Sequence, residues 1–449
     1  LLAALVALSP AVGAQLEDAG TLAQASPTIQ PPRQSAPAPS PRAKPPPVAP
    51  TAAKRSVVAE RVMTRYRDGD YEGVVALGPG LLGDNPQDHE LRLALANSMA
   101  WTGRYASALA QYRALASTPF ANQAEVGAAY IDLWRQRPFY ALPAFERVLA
   151  REPGSRDASE GVSRALDRLR PRTTVRLGTA SDTADMRRTG GSIDHVWWDR
   201  TAETRFEVGA GADREQINPI SLSRNYNEIG FSVFRPRTVL APRVDVSGTT
   251  DPCRSGYATA QVEPVTDWLR IQAGRVNWGR LAFNARALDA CLYAARIGVA
   301  GTPESALGRV VYSASFNRIS DANQITEASV RLEPEILKLG YGFSVDVGAA
   351  ARHAKRNDPR YWSPADGHGI VFVGLGYSRW TERGGFYLRL QPGTGVWGEA
   401  EGFNWGIGGG GRLELGRNWA IGLDAWAGSN PRPGQYRYRT VTLALEHAW

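Results

Sequence analysis

The chain has 449 residues, a formal net charge of +8, 43% hydrophobic and 21% charged residues, enough length for two or three domains. With a mean hydropathy of −0.31 and no internal run of about 18 apolar residues, a helical membrane protein is excluded. Of 52 basic residues only Lys44, Lys54, Lys338 and Lys355 are lysine, and the arginines are spread without a clustered run. That pattern reads as GC-rich coding and not as a nucleic-acid patch.

Residues Leu1 to Ala14 are apolar and close with Val12-Gly13-Ala14, small residues at −3 and −1 of a secretory cleavage site. We expect a signal peptide over 1–14, truncated at its start because it has neither an initiator Met nor a basic n-region. A Pro/Ala-rich linker follows over 15–54, with ten prolines from Pro27 to Pro50. Proline lacks the backbone donor and favours extended neighbours, so this segment reads as an unstructured spacer.

Residues 55–170 carry a helical repeat. Gly69-Asp70-Tyr71 returns as Gly103-Arg104-Tyr105 and as Arg137-Pro138-Phe139, each time after 34 residues. Pro86, Pro119 and Pro153 close the units, and Ala96, Ala108 and Tyr112 hold small and aromatic packing positions. The spacing resembles the tetratricopeptide repeat, which implies about three units of paired antiparallel helices. A last helix over 157–169 would cap them, with Arg164, Asp167 and Arg168 on its exposed side. Gly permits the turn, the aromatic packs between helices and Pro ends the second helix. Arrays of this kind bind partner proteins or peptides.

After Pro171 the pattern changes. Of 46 glycines, 35 lie from Gly178 to Gly434, and 11 of 13 tryptophans lie from Trp197 to Trp449. Alternation replaces the helical period. Phe206, Val208 and Ala210 oppose Arg205, Glu207 and Gly209; Leu269, Ile271 and Ala273 oppose Arg270 and Gln272. Ala328, Val330 and Leu332 oppose Ser329, Arg331 and Glu333; Phe386, Leu388 and Leu390 oppose Tyr387, Arg389 and Gln391. A soluble sandwich would alternate too, but three features favour a transmembrane antiparallel barrel over 171–449. Stretches such as 338–350 and 402–415 approach the ~10 residues that cross a bilayer. Trp197, Trp198, Trp278, Trp362, Trp380, Trp397 and Trp419 recur near strand ends, where an interfacial girdle would stand. Val441, Leu443, Leu445, His447 and Trp449 share one face of the last strand, which resembles the C-terminal signal read by the barrel-insertion machinery, with His447 as a departure. The 278 residues from 172 to 449 allow about 14–16 strands at roughly 17–20 residues each, and sixteen is expected.

The order of leader, linker, repeats and barrel resembles the exopolysaccharide-export outer-membrane proteins of the cellulose synthase operon protein C and poly-N-acetylglucosamine exporter type. Glu263-Pro264-Val265-Thr266-Asp267 and Tyr361-Trp362-Ser363-Pro364 resemble short segments of the cellulose-export barrel. Bacteriophage-adsorption and other small repeat-plus-barrel proteins share the layout. The resemblance implies a two-domain protein in the outer membrane of a Gram-negative bacterium, with a short periplasmic α-solenoid and a lumen carrying polysaccharide. Its expected partners are the insertion machinery, a synthase or periplasmic secretion component, the polymer and outer-membrane lipid, with no nucleic acid. The cellulose exporters carry many repeats where this chain has about three.

Candidate polymer contacts are the inward residues Arg205, Glu207, Arg270, Arg331, Glu333, Tyr387, Arg389, Asp424 and Trp426. Mixed charge between aromatics suits sugar hydroxyls and ring faces, and weak repeated binding keeps a polymer moving. No cofactor or metal is expected: His89, His195, His353, His368 and His447 lack ligand spacing. The run Gly406 to Gly411 matches GxGxxG formally, but it opens into a strand, so it reads as close packing or a kink. No catalytic pair stands out, and an enzyme is not expected. Cys253 and Cys291 could form a disulfide or remain two thiols. The competing expectation is a non-conducting assembly barrel or a surface or phage receptor.

Overall fold

The computed structural model describes residues 57–449 apart from positions 136, 200–203, 234–239, 250–254, 265–268, 279–284, 306–307, 335–341, 382, 401 and 431–435. The expected leader (1–14) and linker (15–54) lie outside the described residues.

Among the described residues seven helices precede the strands: α1 (Val57–Arg67), α2 (Tyr71–Asp84), α3 (His89–Trp101), α4 (Tyr105–Ala114), α5 (Ala121–Trp134), α6 (Pro138–Arg151) and α7 (Arg156–Leu169). Their boundaries follow from local chemistry. Asp70 caps α2 by accepting from the Gly73 N–H, and Asp88 caps α3 by accepting from the Leu91 N–H, each at 3.0 Å. Gly69 and Gly103, with φ of +81° and +80°, make the tight turns before α2 and α4, a conformation that costs a side chain about 1–2 kcal/mol. In the third turn Arg137 keeps a negative φ of −116° and Pro138 starts the helix. Pro86, Pro119 and Pro153 fall in the connections between α2 and α3, α4 and α5, and α6 and α7.

Each helix packs on the next, and α1, α3, α5 and α7 also touch in succession. Two apolar clusters result. One joins Leu91, Leu95, Ala108, Leu115 and Ile131; the other joins Ala141, Phe145, Ala158 and Ala165. The polar insertion in the first is satisfied: Asn97 donates to the Tyr66 hydroxyl at 2.8 Å and accepts from Tyr112 at 2.7 Å.

The second half is one antiparallel sheet. Its strands are β1 (Arg172–Asp182), β2 (Arg187–Trp198), β3 (Thr204–Ile217), β4 (Ile220–Val233), β5 (Leu240–Thr249), β6 (Ser255–Pro264), β7 (Arg270–Asn277), β8 (Tyr293–Gly301) and β9 (Glu304–Ser305). They continue with β10 (Gly308–Ile319), β11 (Gln324–Pro334), β12 (Phe343–Ala354), β13 (His368–Thr381), β14 (Gly384–Gly398), β15 (Phe403–Glu414), β16 (Trp419–Ser429) and β17 (Arg437–Ala448). A short helix, α8 (Ala285–Asp289), lies between β7 and β8. β1 pairs with β2 (Arg172 opposite Val196) and also with β17 (Arg172 opposite Ala448), so the hydrogen-bonded circuit returns to its start. Seventeen segments are described where 14–16 strands were expected. The extra one, β9, has two residues and continues the line of β8 along β10. The strands expected over 338–350 and 402–415 are β12 and β15; residues 335–341 lie outside the described set.

Alternation sorts the side chains. Leu177, Ile193, Leu388 and Leu443 are exposed on the outer face, whereas Arg176, Asp194, Arg389 and Glu446 are buried on the inner one. Among the described residues no helix is long and apolar enough to cross a membrane; a sheet of this kind crosses with strands.

The candidate functional site is a polar inner wall

The inner wall is built from arginines held by carboxylates on the same or a neighbouring strand. Arg176 of β1 meets Asp194 of β2, and Arg188 of β2 meets Glu215 of β3. Arg205 bridges Glu207 two residues along β3 at 3.1 Å. Glu333 of β11 accepts from Arg309 of β10 at 2.8 Å and from Arg331 at 2.9 Å. Arg352 of β12 reaches Glu327 of β11 at 2.9 Å. Arg389 of β14 holds Asp346 of β12 with two bonds of 2.8 and 2.7 Å, crossing β13 to do so. Gly374 lies beneath that pair; a Cβ there would overlap both side chains. At the β17 end Glu446 accepts from Arg172 and Arg412 at 3.0 and 3.1 Å.

The aromatic part lies on β14 to β17. Tyr387 donates to Asp424 at 2.6 Å, and Trp426 donates its indole N–H to the Tyr438 hydroxyl at 2.8 Å. The glycine run explains how Trp426 fits. Gly406 and Gly408 lie on the inner face of β15 directly under the indole, where any Cβ would overlap it. Gly410 leaves the same room for Tyr387 and Asp424. The sequence expectation of close packing thus has a specific form, a half-buried tryptophan laid along the wall. Asn404, in line with this row, is 1% exposed, and neither its amide oxygen nor its nitrogen has a hydrogen-bond partner among the described residues.

Of the nine candidate contacts, the structure joins Arg205 to Glu207, Arg331 to Glu333 and Tyr387 to Asp424, and gives Arg389 the partner Asp346 and Trp426 the partner Tyr438. Arg270 is exposed at the first position of β7. Sequence reasoning passed over Arg176, Asp194, Arg188, Glu215, Asp346 and Glu446. The same alternation would have found them, but β1, β2 and β12 carry Gly, Ala and Thr between their charges, which weakens the contrast between faces.

The two ends of the sheet differ. The end bearing Arg172, Trp198 and Trp449 adjoins the helices; the opposite end carries Trp278, α8 and the connection 355–367. In the latter, Arg360 bridges Asp321 and Asp358 at 2.7 Å each, and Tyr361 donates to Asp321 at 2.9 Å. The Arg360 guanidinium, hydrogen-bonded to Asp358, holds that carboxyl below the usual carboxylate range. Trp278 is fully buried against the edge of Tyr361, and Arg352 lies over Trp362 at 4.8 Å. These two tryptophans were expected in an outward girdle; they pack inside this end because buried Arg352 offers them a cation to cover. Trp397 and Trp419 are exposed, and the side chain of Trp380 lies outside the described residues. Cys291 is disulfide-bonded; the chain's other cysteine is Cys253, itself outside the described residues.

No protein-family model matches the chain, and no curated protein matches it. Solved structures do. A bacterial polysaccharide outer-membrane secretin aligns over 63% of this chain and 99% of its own length at 14% identity, with a TM-score of 0.50. The outer-membrane protein OpdK of Pseudomonas aeruginosa aligns over 62% and 99% at 7% identity with a TM-score of 0.33. The translocator domain of the autotransporter NalP of Neisseria meningitidis aligns over 72% and 97% at 12% identity, with a TM-score of 0.28. At 14% identity the likeness to the secretin is one of fold, that of an outer-membrane β-barrel.

Proposed function

We propose that the chain is an outer-membrane conduit for an exopolysaccharide, such as cellulose or a related glucan or aminoglycan, in a Gram-negative bacterium. The observation that carries this reading is the inner wall. Its arginines are matched by carboxylates, and its half-buried aromatics, Trp426 and Tyr387, lie along it. Such a wall offers hydroxyl partners and ring faces without a single deep site that would trap a moving polymer. The outward Leu, Ile and Val suit lipid, and the secretin named above, similar in fold, handles a polysaccharide. On this reading the helices are a short tetratricopeptide-like solenoid in the periplasm that docks a synthase or secretion component, and Val441, Leu443, Leu445 and Trp449 form the insertion signal.

The test has two parts. Deleting the gene should abolish secreted polymer while intracellular synthesis continues, and purified protein should conduct in planar bilayers. Continued secretion after deletion overturns the reading. A non-conducting receptor or assembly barrel is favoured by one observation. At the end away from the helices α8 packs on β3 and β4, with Ala285 against Met186 and Ile217, and Trp278 packs on Tyr361. Absence of conductance from the full chain and from a form lacking 15–171 would favour that reading.

A further inference from the structure

The helical array carries an aromatic ladder whose last rung comes from the barrel. At the start of α2 the Tyr71 ring meets Trp101 at the end of α3, with centroids 4.4 Å apart. One repeat later Tyr105 meets Trp134 at the end of α5 at 6.2 Å. The third aromatic in this register is Phe139. Its counterpart on the next helix would fall at Arg168, near the end of α7, where no aromatic stands. Phe139 is met instead by Trp198, the last residue of β2, at 5.3 Å.

Three further contacts show where the array sits. Arg170 donates to the Trp449 carbonyl at 2.6 Å and to the Asn418 side chain at 3.2 Å, and Arg172 donates to the Asp167 carbonyl at 3.1 Å. These tie α7 to β1, β17 and the turn between β15 and β16. Midway along the array α4 approaches β9. Around the circuit of pairings, β9 and the β17–β1 seam stand on opposite sides. A ring of about sixteen strands is about 30 Å across.

We propose that the helical array is a strap docked across the helix-side mouth of the barrel, and that the Phe139–Trp198 rung is the latch that holds it there. Trp198 acts as the missing fourth-unit aromatic, so the barrel rim completes the repeat array. Passage of a wide polymer then requires the rung to part, with the Arg170–Arg172 segment, which joins α7 to β1, as the hinge. A partner that fills the Trp198 position on the ladder with its own aromatic side chain would open the strap.

The experiment uses the full chain, labelled with nitroxide at Arg113→Cys on α4 and Leu415→Cys at the opposite rim, both exposed positions. Pulsed electron resonance should give a single narrow distance in the otherwise unaltered protein. Trp198→Ala should broaden it, Trp198→Phe should retain it, and Trp197→Ala, whose ring stacks on Phe206 instead, should leave it unchanged. Barrel integrity is read from heat-modifiable migration, and Phe139→Ala reports from the helix side should Trp198→Ala fail to insert. A distribution that is already broad, or one that neither Trp198→Ala nor Phe139→Ala alters, overturns the strap. Conductance is scored separately. It should rise in Trp198→Ala, and equal conductance with a broadened distance would show that the array is latched but does not obstruct. The distance measurement does not depend on polymer export, so its failure is distinct from failure of the conduit reading.

Discussion

The helical and barrel halves place their apolar side chains in opposite directions. In the helices Leu95, Ala108 and Ile131 have no exposure, and the ion pairs, such as Arg65 with Asp70, lie on the surface. In the barrel Leu177, Leu388 and Leu443 are at least 40% exposed, and the ion pairs are inside. One chain thus holds two solvent environments. The helices are sorted by water outside an apolar core, and the strands by an apolar exterior around polar contents. The arginine-rich composition serves both: exposed pairs that contribute little, and enclosed pairs whose disruption is costly.

The largest expected effect breaks the inner side of this contrast. Asp346→Ala removes the bidentate partner of buried Arg389, and loss of one partner of a buried pair costs about 3–5 kcal/mol. Urea refolding into lipid vesicles should show it, and Glu60→Ala, which breaks the exposed Arg67–Glu60 pair on the helical surface, should show much less than Asp346→Ala. The second compares apolar positions. Leu95→Ala should cost the helical half about 2–5 kcal/mol in thermal melts, whereas Leu443→Ala, which gives up lipid contact but leaves no cavity, should cost the barrel less. Leu443→Arg should instead cost about 2–4 kcal/mol in a bilayer. Equal responses of Leu95→Ala and Leu443→Ala would remove the contrast.

A smaller effect tests the repeat geometry. Gly103→Ala places a Cβ at φ +80° and should cost about 1–2 kcal/mol, measured as a lower melting temperature of the helical half alone. The smallest is a pH effect at the far end of the barrel. Asp358 has a depressed carboxyl, held down chiefly by its hydrogen bond from Arg360. Its contribution is therefore present above the ordinary carboxylate pKa of about 4 and is lost as pH falls through the lower folded value. Hydrogen exchange in 355–367 should quicken over that acid interval, and Asp358→Asn should flatten the response.

Much of the fold was legible because its periods are local. The 34-residue return of Tyr71, Tyr105 and Phe139 marked the helices, and alternation from Arg172 onward marked the strands. The inner wall was legible as a list and not as partners. Arg389 was named as inward, yet its carboxylate is Asp346, 43 residues away, and only strand register brings them together. Arg270, named on the same alternation, begins β7 and is exposed there. Trp278 and Trp362 went astray because nearness to a strand end does not state which way a ring turns.

The sequence by itself determined where helix gives way to strand, which residues alternate to which face and where glycine clears space, since each depends on neighbours within a few residues or a fixed repeat. The tertiary structure decided which arginine meets which carboxylate, that Trp426 lies flat over Gly406 and Gly408, and that Trp198 completes the ladder begun at Tyr71. Those contacts depend on strand register and on the meeting of two domains. Both are set by the summed packing of distant segments, which no local pattern encodes.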